Sequence, residues 1–339
     1  AYSMAVSAHL FVGVPSPDAG RALLEATRHR VTTGQTWTTK PDSTLNVGVT
    51  CHGLRALGAP DELIDSFPEA FRDGMRRRAP LLGDVDEAHP DHWDEGLGSD
   101  AVHLLFTLNA RDDAALSEAV DALQTSIDAC GATVVCTHRG RRLPDRKEHF
   151  GYADGVGQPA IEGVGDPVRG QGDQGTLRTW QGLPLGEIFH GFVDDDGDPS
   201  PGPAPPFHVG GTFKVWRKLH EDVAGFRSWV ADQAAGLEMD EELLRAKLVG
   251  RWSDASPLTL APDAPDPQLG SDRERVNDFD YGDDPHGERC PFGAHIRRAN
   301  PRSGLGFGDA LVSRQRISRR GMTYGEPLPA DADGDDGVA

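Results

Sequence analysis

The sequence predicts an α+β fold of two tandem ferredoxin-like units, each a split βαβ arrangement with an antiparallel sheet. Three observations lead to this fold class. The N-terminal part of the chain alternates strand and helix patterns in the order βαβ–βαβ. A loop-like stretch over 160–208, rich in Gly, Pro and Asp, then interrupts the pattern. After that stretch the order βα…β begins again, which indicates a second unit.

The elements of the first unit follow from hydrophobic periodicity. On the second long helix, Leu116, Val120 and Ile127 fall on one face at helical spacing. Pro60 and Pro68 divide the segment between the second and third strands into short helices. The predicted strands are 7–14, 44–51, 101–108 and 132–138, and the long helices are 18–31 and 112–130.

The second unit lacks the elements that would close it. Strand patterns cover 211–219 and 313–325, and helix patterns cover 220–234 and 241–252. The last residues, EPLPADADGDDGVA, have neither pattern. Because an unclosed sheet leaves an exposed edge, we expect a second polypeptide, or a further part of this one, to supply the final βαβ. A second domain of another fold is the alternative.

These patterns divide the chain into two predicted domains. The first is an N-terminal ferredoxin-like domain over 1–159, which ends in the loop that contains Asp154. The second is a C-terminal ferredoxin-like domain over 160–339, incomplete at its C-terminus.

Composition limits the classes of partner. Lys and Arg number 34 and Asp and Glu 54, so the net charge of −20 argues against nucleic acid and anionic membranes. No apolar run approaches the roughly 20 residues of a membrane span. The four cysteines have no CxxC spacing, which favours a reducing compartment. We therefore expect a bacterial-type soluble protein that is cytoplasmic, or exported after removal of a leader.

The stretch EHFGYADGVGQPAIEG, residues 148–163, places an acid between glycines. Asp154 lies between Gly151 and Gly155, and Val156 and Gly157 continue a loop with little side-chain bulk. Such a backbone can approach a flat ligand closely and leave the carboxylate facing it. An ordinary Asp-Gly turn is the alternative.

The stretch CPFGAHIRRANPR, residues 290–302, gathers positive charge beside a single histidine. His295 has no second His or Cys at zinc-ligand spacing. It could be a structural histidine, a catalytic base, or the ligand of a metal that needs only one protein ligand, as haem iron does. Haem propionates would account for the neighbouring arginines, among them Arg297, Arg298 and Arg302.

The third stretch is RISRRGMTYG, residues 316–325. Arg319 lies on the last predicted strand. With Arg314, Arg316 and Arg320 beside it, the pattern by itself is equally typical of an exposed strand arginine.

Together and in this order, the three stretches resemble the signature of the dye-decolorizing peroxidases. The runs NDFDYGDD (277–284) and GTFKVWRKLHEDVAGF (211–226) resemble the same family, so the likeness covers most of the chain. The resemblance implies paired ferredoxin-like units with one haem b per chain in the second unit. It also implies a peroxidase that reduces hydrogen peroxide and oxidises dyes or aromatic and phenolic donors by one-electron steps.

The resemblance also implies a role for each motif. His295 matches the proximal ligand of the haem iron, Asp154 the distal acid, and Arg319 the distal arginine that also contacts the cofactor. Gly155, Val156, Gly157 and Arg298 are the further residues expected to bind the haem.

Two other functions stay open at this stage. One is a haem-binding or haem-handling protein, which would store or deliver the cofactor. The other is a subunit of a two-chain assembly with weak peroxidase activity, which the missing βαβ favours.

Overall fold

The structure is a computed structural model that separates into two compact units. One unit contains Ala1–Arg142, Gly202–His208 and Phe213–Trp216, and the other contains the rest of the chain from Leu143 onward. The loop with Asp154 therefore lies in the second unit, whereas the domain boundary after 159 stays a prediction. The residues that the structure describes are 4–164, 169–171, 173–174, 180–305, 312, 314 and 316–329.

The first unit is a ferredoxin-like sheet with two long helices, as the sequence predicts. Its four strands are antiparallel neighbours in the order β2-β3-β1-β4, which is the arrangement of a split βαβ unit. The strands are β1 Val6–Gly13, β2 Ser43–Val49, β3 Leu104–Ala110 and β4 Thr133–Arg141, and the long helices are α1 Pro17–Arg28 and α6 Asp113–Ala129.

The core of this unit lies between the sheet and the helices. Alternate residues of β1, among them Leu10 and Val12, are fully buried against Leu23 of α1 and Leu123 of α6. The opposite face of β1 contains Phe11, whose ring packs against another part of the same unit. The amphipathic patterns in the sequence therefore predict which face of each element is buried.

Side-chain caps define where the long helices begin. The Ser16 hydroxyl accepts a hydrogen bond from the Ala19 amide at 3.2 Å, and the Asp112 carboxylate accepts one from the Ala115 amide at 2.9 Å. Short helices occupy the segment between β2 and β3, as Pro60 and Pro68 predict. They are α2 Cys51–Ala56, α3 Asp61–Asp65, α4 Glu69–Arg77 and α5 Ala79–Leu82.

The second unit is mostly loops around a helical pair. Helices α7 and α8 confirm the predicted helices, and Gly250 ends α8 with a φ of 92°, a left-handed conformation that favours glycine. A buried cluster centred on Trp252, Leu258 and Tyr281 forms the core beside them. The elements of this unit are β5 Asp173–Gln174, β6 Trp180–Gln181, α7 Val223–Leu237, α8 Glu241–Val249, α9 Pro267–Ser271 and α10 His295–Ala299.

Two strands predicted for the second unit are wrong in the described residues. The segment 211–219 is irregular, and so are the described residues of 313–325. A strand requires a neighbour that pairs with its backbone, and alternating apolar residues do not supply one. Side chains instead hold the first segment, because the Trp216 ring packs against Phe11 at 4.9 Å between ring centroids. Val215 stays 66% exposed.

No helix in the described part of the chain is long and apolar enough to cross a membrane.

We expect replacement of Leu123 by alanine to lower the free energy of unfolding by about 2–5 kcal/mol, because it leaves a cavity in the fully buried core of the first unit. Urea denaturation of the variant measures this loss. The matched control is Leu81→Ala, since Leu81 is 78% exposed and its removal should change the stability by less than about 0.5 kcal/mol. Equal losses in the two variants would contradict the position of the core.

Candidate active site

Three of the predicted site residues lie together in the second unit. The guanidinium Nη1 of Arg319 is 3.4 Å from Nε2 of His295. The Asp154 carboxylate lies close enough to act on the pKa of His295, and a side chain at position 321 in place of Gly321 would collide with it. The fold therefore places an acid, an imidazole and a guanidinium from three distant stretches of sequence within one site.

A tight turn positions Asp154. The Glu148 carboxylate accepts hydrogen bonds from the amides of Phe150 at 2.9 Å and Tyr152 at 2.7 Å. The Glu148 amide in turn donates to the Tyr152 carbonyl at 2.9 Å. These hydrogen bonds fix the backbone over 148–152, and so they fix the position from which Asp154 follows.

The glycines after Asp154 leave space beside the loop in the described residues. Gly155 has a φ of 75°, where a side chain would be strained, and its amide donates to the Asp154 carboxylate at 2.6 Å. Gly157 is exposed, and a Cβ there would meet only the Asn277 side chain, at 3.9 Å. The loop is therefore open to close approach by a ligand on this side.

A buried polar network anchors the same loop. The carbonyl of Val156 accepts a hydrogen bond from the Asn277 amide group at 2.8 Å, and Asn277 is fully buried. The Asn277 side-chain oxygen accepts from Arg251 at 2.7 Å, and Arg251 also donates to the Ala255 and Val276 carbonyls. The buried groups of Asn277 and Arg251 in this hydrogen-bond network have partners, so the position of the Val156 carbonyl is well defined.

Hydrogen bonds to Gln158 and from His149 hold the segment 316–329 against the loop. The Arg319 amide donates to the Gln158 side-chain oxygen at 3.1 Å. Nε2 of His149 donates to the Tyr324 carbonyl at 2.8 Å. These contacts bring the Arg319 side chain to His295 although the segment forms no strand.

The surroundings of His295 favour its neutral form. Loss of hydration by the surrounding atoms lowers its pKa first, and the positive charge of Arg319 lowers it further, while Asp154 opposes both. A guanidinium can only donate hydrogen bonds, so Nε2 of His295 is the acceptor in their contact. The imidazole therefore presents a lone pair at Nε2, which is the form that binds a metal.

The structure separates the three arginines that follow His295 in the sequence. Arg297 is buried and forms an ion pair with Asp284 at 3.0 Å, and it also donates to the Cys290 carbonyl. Arg302 is buried and donates to the carbonyls of the 277–279 segment. Both are therefore structural, whereas Arg298 is exposed on α10 and can reach an external anion.

A second candidate for an anion partner is Arg316, which the sequence did not distinguish from its neighbours. Burial and the positive charges of Arg302 and Arg319 lower its pKa to about 10. It stays charged at neutral pH, in a region where several cations repel one another. Such a region favours binding of an anionic group.

The donor chemistry of the site fits a haem. His295 offers one neutral nitrogen ligand, and Arg298 and Arg316 offer positive charge for propionates. In the described residues no cluster of three or more His, Cys, Asp or Glu side chains could hold a metal ion by itself. The 3.4 Å between Arg319 and His295 leaves no space for a macrocycle, so the exposed Arg319 side chain must turn aside before a haem could bind.

Besides Arg316, four residues of the site were missed in the sequence. Gln158 and Asn277 position the two sides of the site, and the only signal for Gln158 is its place directly after Gly157. Glu148 and Glu221 form an acidic pair that no spacing indicates, because 72 residues of chain separate them.

The carboxylate of Glu148 acts on the pKa of Glu221. Burial raises the pKa of Glu221 to about 7, and the charges of Glu148 and Asp154 add to this, although the His149 amide donates to Glu221 and opposes it. Burial also raises the pKa of Glu148, against the two backbone hydrogen bonds that it accepts. In the described residues Oε2 of Glu221 is buried without a hydrogen-bond partner, which favours a protonated, uncharged carboxyl there.

Comparison with known proteins agrees with this fold. Residues 19–142 match the model of the DyP dimeric alpha+beta barrel domain. Dye-decolorizing peroxidase msp1 from Mycetinis scorodonius is 33% identical over 303 residues, which cover 87% of this chain and 56% of that protein. Multifunctional dye peroxidase DyP2 from an Amycolatopsis species is 34% identical over 297 residues, 83% of this chain and 58% of that protein.

Solved structures give the same result. The crystal structure of a decolorizing peroxidase from Auricularia auricula-judae superposes with a TM-score of 0.82 at 25% identity, covering 98% of this chain and 74% of that one. A crystal structure of DyP has a TM-score of 0.76 at 30% identity, covering 91% of this chain and 69% of that one.

The fold class is therefore α+β, and the chain belongs to the dye-decolorizing peroxidase family. It spans just over half the length of the curated relatives that it matches.

The acidic pair makes stability depend on pH. Because the pKa of Glu221 is raised from 4.5 to about 7 in the folded chain, its contribution is complete below pH 4.5 and is lost as the pH rises through about 7. We expect the free energy of unfolding, measured by urea denaturation, to fall between pH 5 and pH 8. Glu221→Gln cannot ionise and should remove most of this slope, whereas the exposed control Glu274→Gln should keep it. A wild-type slope in Glu221→Gln would show that this pair does not hold the proton.

The buried network predicts a second effect on stability. Asn277→Ala removes the partners of the Val156 carbonyl and of Arg251, so we expect it to lower the free energy of unfolding by about 1–3 kcal/mol. Thermal and urea denaturation measure this change. The control Asn300→Ala removes an amide that is only half-buried and should cost less than about 0.5 kcal/mol. A neutral Asn277→Ala variant would mean that the network does not anchor the loop.

Proposed function

We propose that this chain is a haem-dependent peroxidase that reduces hydrogen peroxide and oxidises dyes or aromatic and phenolic donors by one-electron steps. The observation that carries the proposal is the meeting of Asp154, His295 and Arg319 in one site of the second unit. Membership of the dye-decolorizing peroxidase family supports it.

One haem b would bind per chain, and Nε2 of His295 would be the protein ligand of its iron. Gly155, Val156 and Gly157 would lie against the ring, since the loop there has little side-chain bulk. Arg298 would bind a propionate. When bound, haem b supplies the redox chemistry that splits the oxygen–oxygen bond and takes single electrons from donors.

Asp154 would transfer the proton of the peroxide, and Arg319 would stabilise its negative charge. The Asp154 carboxylate would take the proton from the attacking oxygen of hydrogen peroxide and return it to the departing oxygen, which leaves as water. The Arg319 guanidinium, once turned away from His295, would hold the negative charge that develops on the bound peroxide. Gln158 would position Arg319 through the backbone bond described above.

The other expected partners follow from the same function. The donor would be a small aromatic molecule or dye. A second polypeptide that completes the C-terminal sheet stays a prediction, which native mass spectrometry of the purified protein would test. The compartment, cytoplasmic or reached by export, also stays a prediction.

Haem binding tests the ligand. We expect titration of the purified protein with hemin to give a saturable Soret band, and we expect His295→Ala to lose that band or to shift it. The matched control, His286→Ala, removes an exposed histidine of the same unit and should bind like the wild type. A Soret band unchanged by His295→Ala would refute His295 as the ligand.

Activity tests the other two residues. In the haem-loaded protein we expect Asp154→Asn to slow peroxide-dependent bleaching of an anthraquinone dye by about 10²–10⁴-fold, because the proton relay is lost. Arg319→Leu should cost about 10²–10³-fold, because the developing charge loses its partner. Arg273→Leu, an exposed arginine, serves as the control. If both Asp154→Asn and Arg319→Leu bleach the dye at the wild-type rate, the assigned roles are wrong. Rapid loss of haem from the wild-type protein would favour the alternative, a haem-handling protein.

A further inference from the structure

An exposed lysine of the first unit lies against the face of the sheet that contains Phe11. Lys214 belongs to the segment Phe213–Trp216 of that unit. Its Nζ donates a hydrogen bond to the Thr107 hydroxyl on β3 at 3.0 Å, and Thr107 itself is buried. Because the Lys214 side chain is exposed as a whole, its amine is held at one place on the sheet and can still be reached from solvent.

The groups of the sheet that surround this amine carry no negative charge. The Thr107 hydroxyl is also 3.2 Å from Nδ1 of His9, its neighbour on β1. Burial, together with the charges of Lys214 and His138, lowers the pKa of His9 to about 3, so His9 is uncharged at neutral pH. Among the residues that the structure describes, no carboxylate forms an ion pair with Lys214.

These surroundings favour the uncharged form of the amine. Loss of hydration against the sheet lowers the pKa of Lys214, and no carboxylate compensates for it. A larger fraction of the group is then free amine at neutral pH. A free amine has the lone pair that an ammonium lacks, and desolvated lysines therefore act as nucleophiles that form Schiff bases with carbonyl compounds.

The residues on either side of Lys214 in the chain are apolar and exposed. Phe213 is 44% exposed, and Val215 is exposed further. The Phe213 ring packs against Phe71 at 5.6 Å between ring centroids, which holds one side of the ring and leaves the rest open. A small aromatic molecule can cover this apolar surface while its reactive group reaches the amine, whereas a strongly hydrated molecule gains nothing from it.

We propose that Lys214 is a covalent binding site for a neutral aromatic aldehyde, which it captures as an imine. The Lys214 nitrogen attacks the carbonyl carbon, so a carbon–nitrogen bond forms while the carbonyl π bond breaks and its oxygen takes up a proton. That oxygen then leaves as water, and the carbon–nitrogen double bond forms. Both protons of the amine leave in the water, so the reaction needs no oxidant, reductant or cofactor and is independent of the proposed peroxidase.

The test traps the imine in the purified protein with benzaldehyde and sodium cyanoborohydride at pH 7, and peptide mass spectrometry then follows each lysine. We expect Lys214 to be benzylated at least about threefold faster than Lys40, which is also exposed. The rate at Lys214 should level off at a pH below the usual range of a lysine amine. Acetaldehyde, which lacks the ring, should give a smaller ratio of the two rates. Equal rates at Lys214 and Lys40 with benzaldehyde would overturn the proposal, and an equal ratio with acetaldehyde would overturn the aromatic class of the ligand.

Thr107→Val removes the hydroxyl that holds the amine and keeps a β-branched side chain in the strand. Without that hydrogen bond an ammonium against the sheet is unfavourable, so Lys214 should turn to water, and its rate should fall to within about twofold of the rate at Lys40. The matched control Thr125→Val alters an exposed threonine of α6 and should leave the rate at Lys214 unchanged. The proposal fails if folded Thr107→Val is benzylated at Lys214 at the wild-type rate, and the comparison of Lys214 with Lys40 in the wild type decides it even if this variant does not fold.

Discussion

The arrangement of the second unit depends on one buried guanidinium. Arg251 is 6% exposed, so its donors must find acceptors inside the protein. It binds the backbone on both sides and the side chain of Asn277, which in turn holds the Val156 carbonyl. Arg302 donates to the Asn277 carbonyl from the other direction. Since removal of any partner would leave a buried polar group unpaired, the loop with Asp154 and the segment before His295 are held as one structure.

The acidic and the basic side chains of the site come from different segments of the chain. Glu148, Glu221 and Asp154 come from the turn and from the residues before α7, whereas the cations Arg316 and Arg319 come from the C-terminal segment. The pKa of His295 is lowered by Arg319 and raised by Asp154. An acidic chain therefore contains a local positive field where an anionic cofactor would bind, and a proton-holding acidic cluster on the other side.

Among the residues described, two buried polar groups without partners lie around the turn that positions Asp154. Oε2 of Glu221 and the hydroxyl of Tyr152 are both buried and unsatisfied within the described residues. A buried polar group without a partner lowers the free energy of unfolding, and protonation or a new hydrogen bond would reduce that loss. Both groups thus lie beside the turn that positions Asp154 for the proposed peroxide chemistry.

The sequence alone determined the first unit, because each of its strands and helices carries a hydrophobic period that its own packing satisfies. It also named Asp154, His295 and Arg319, since their motifs are local. Only the tertiary structure decided that Arg297 and Arg302 are buried structural residues while Arg298 is free to meet solvent. The strand predicted at 211–219 was wrong because a strand depends on a pairing partner elsewhere in the chain, and no local pattern records whether that partner is present.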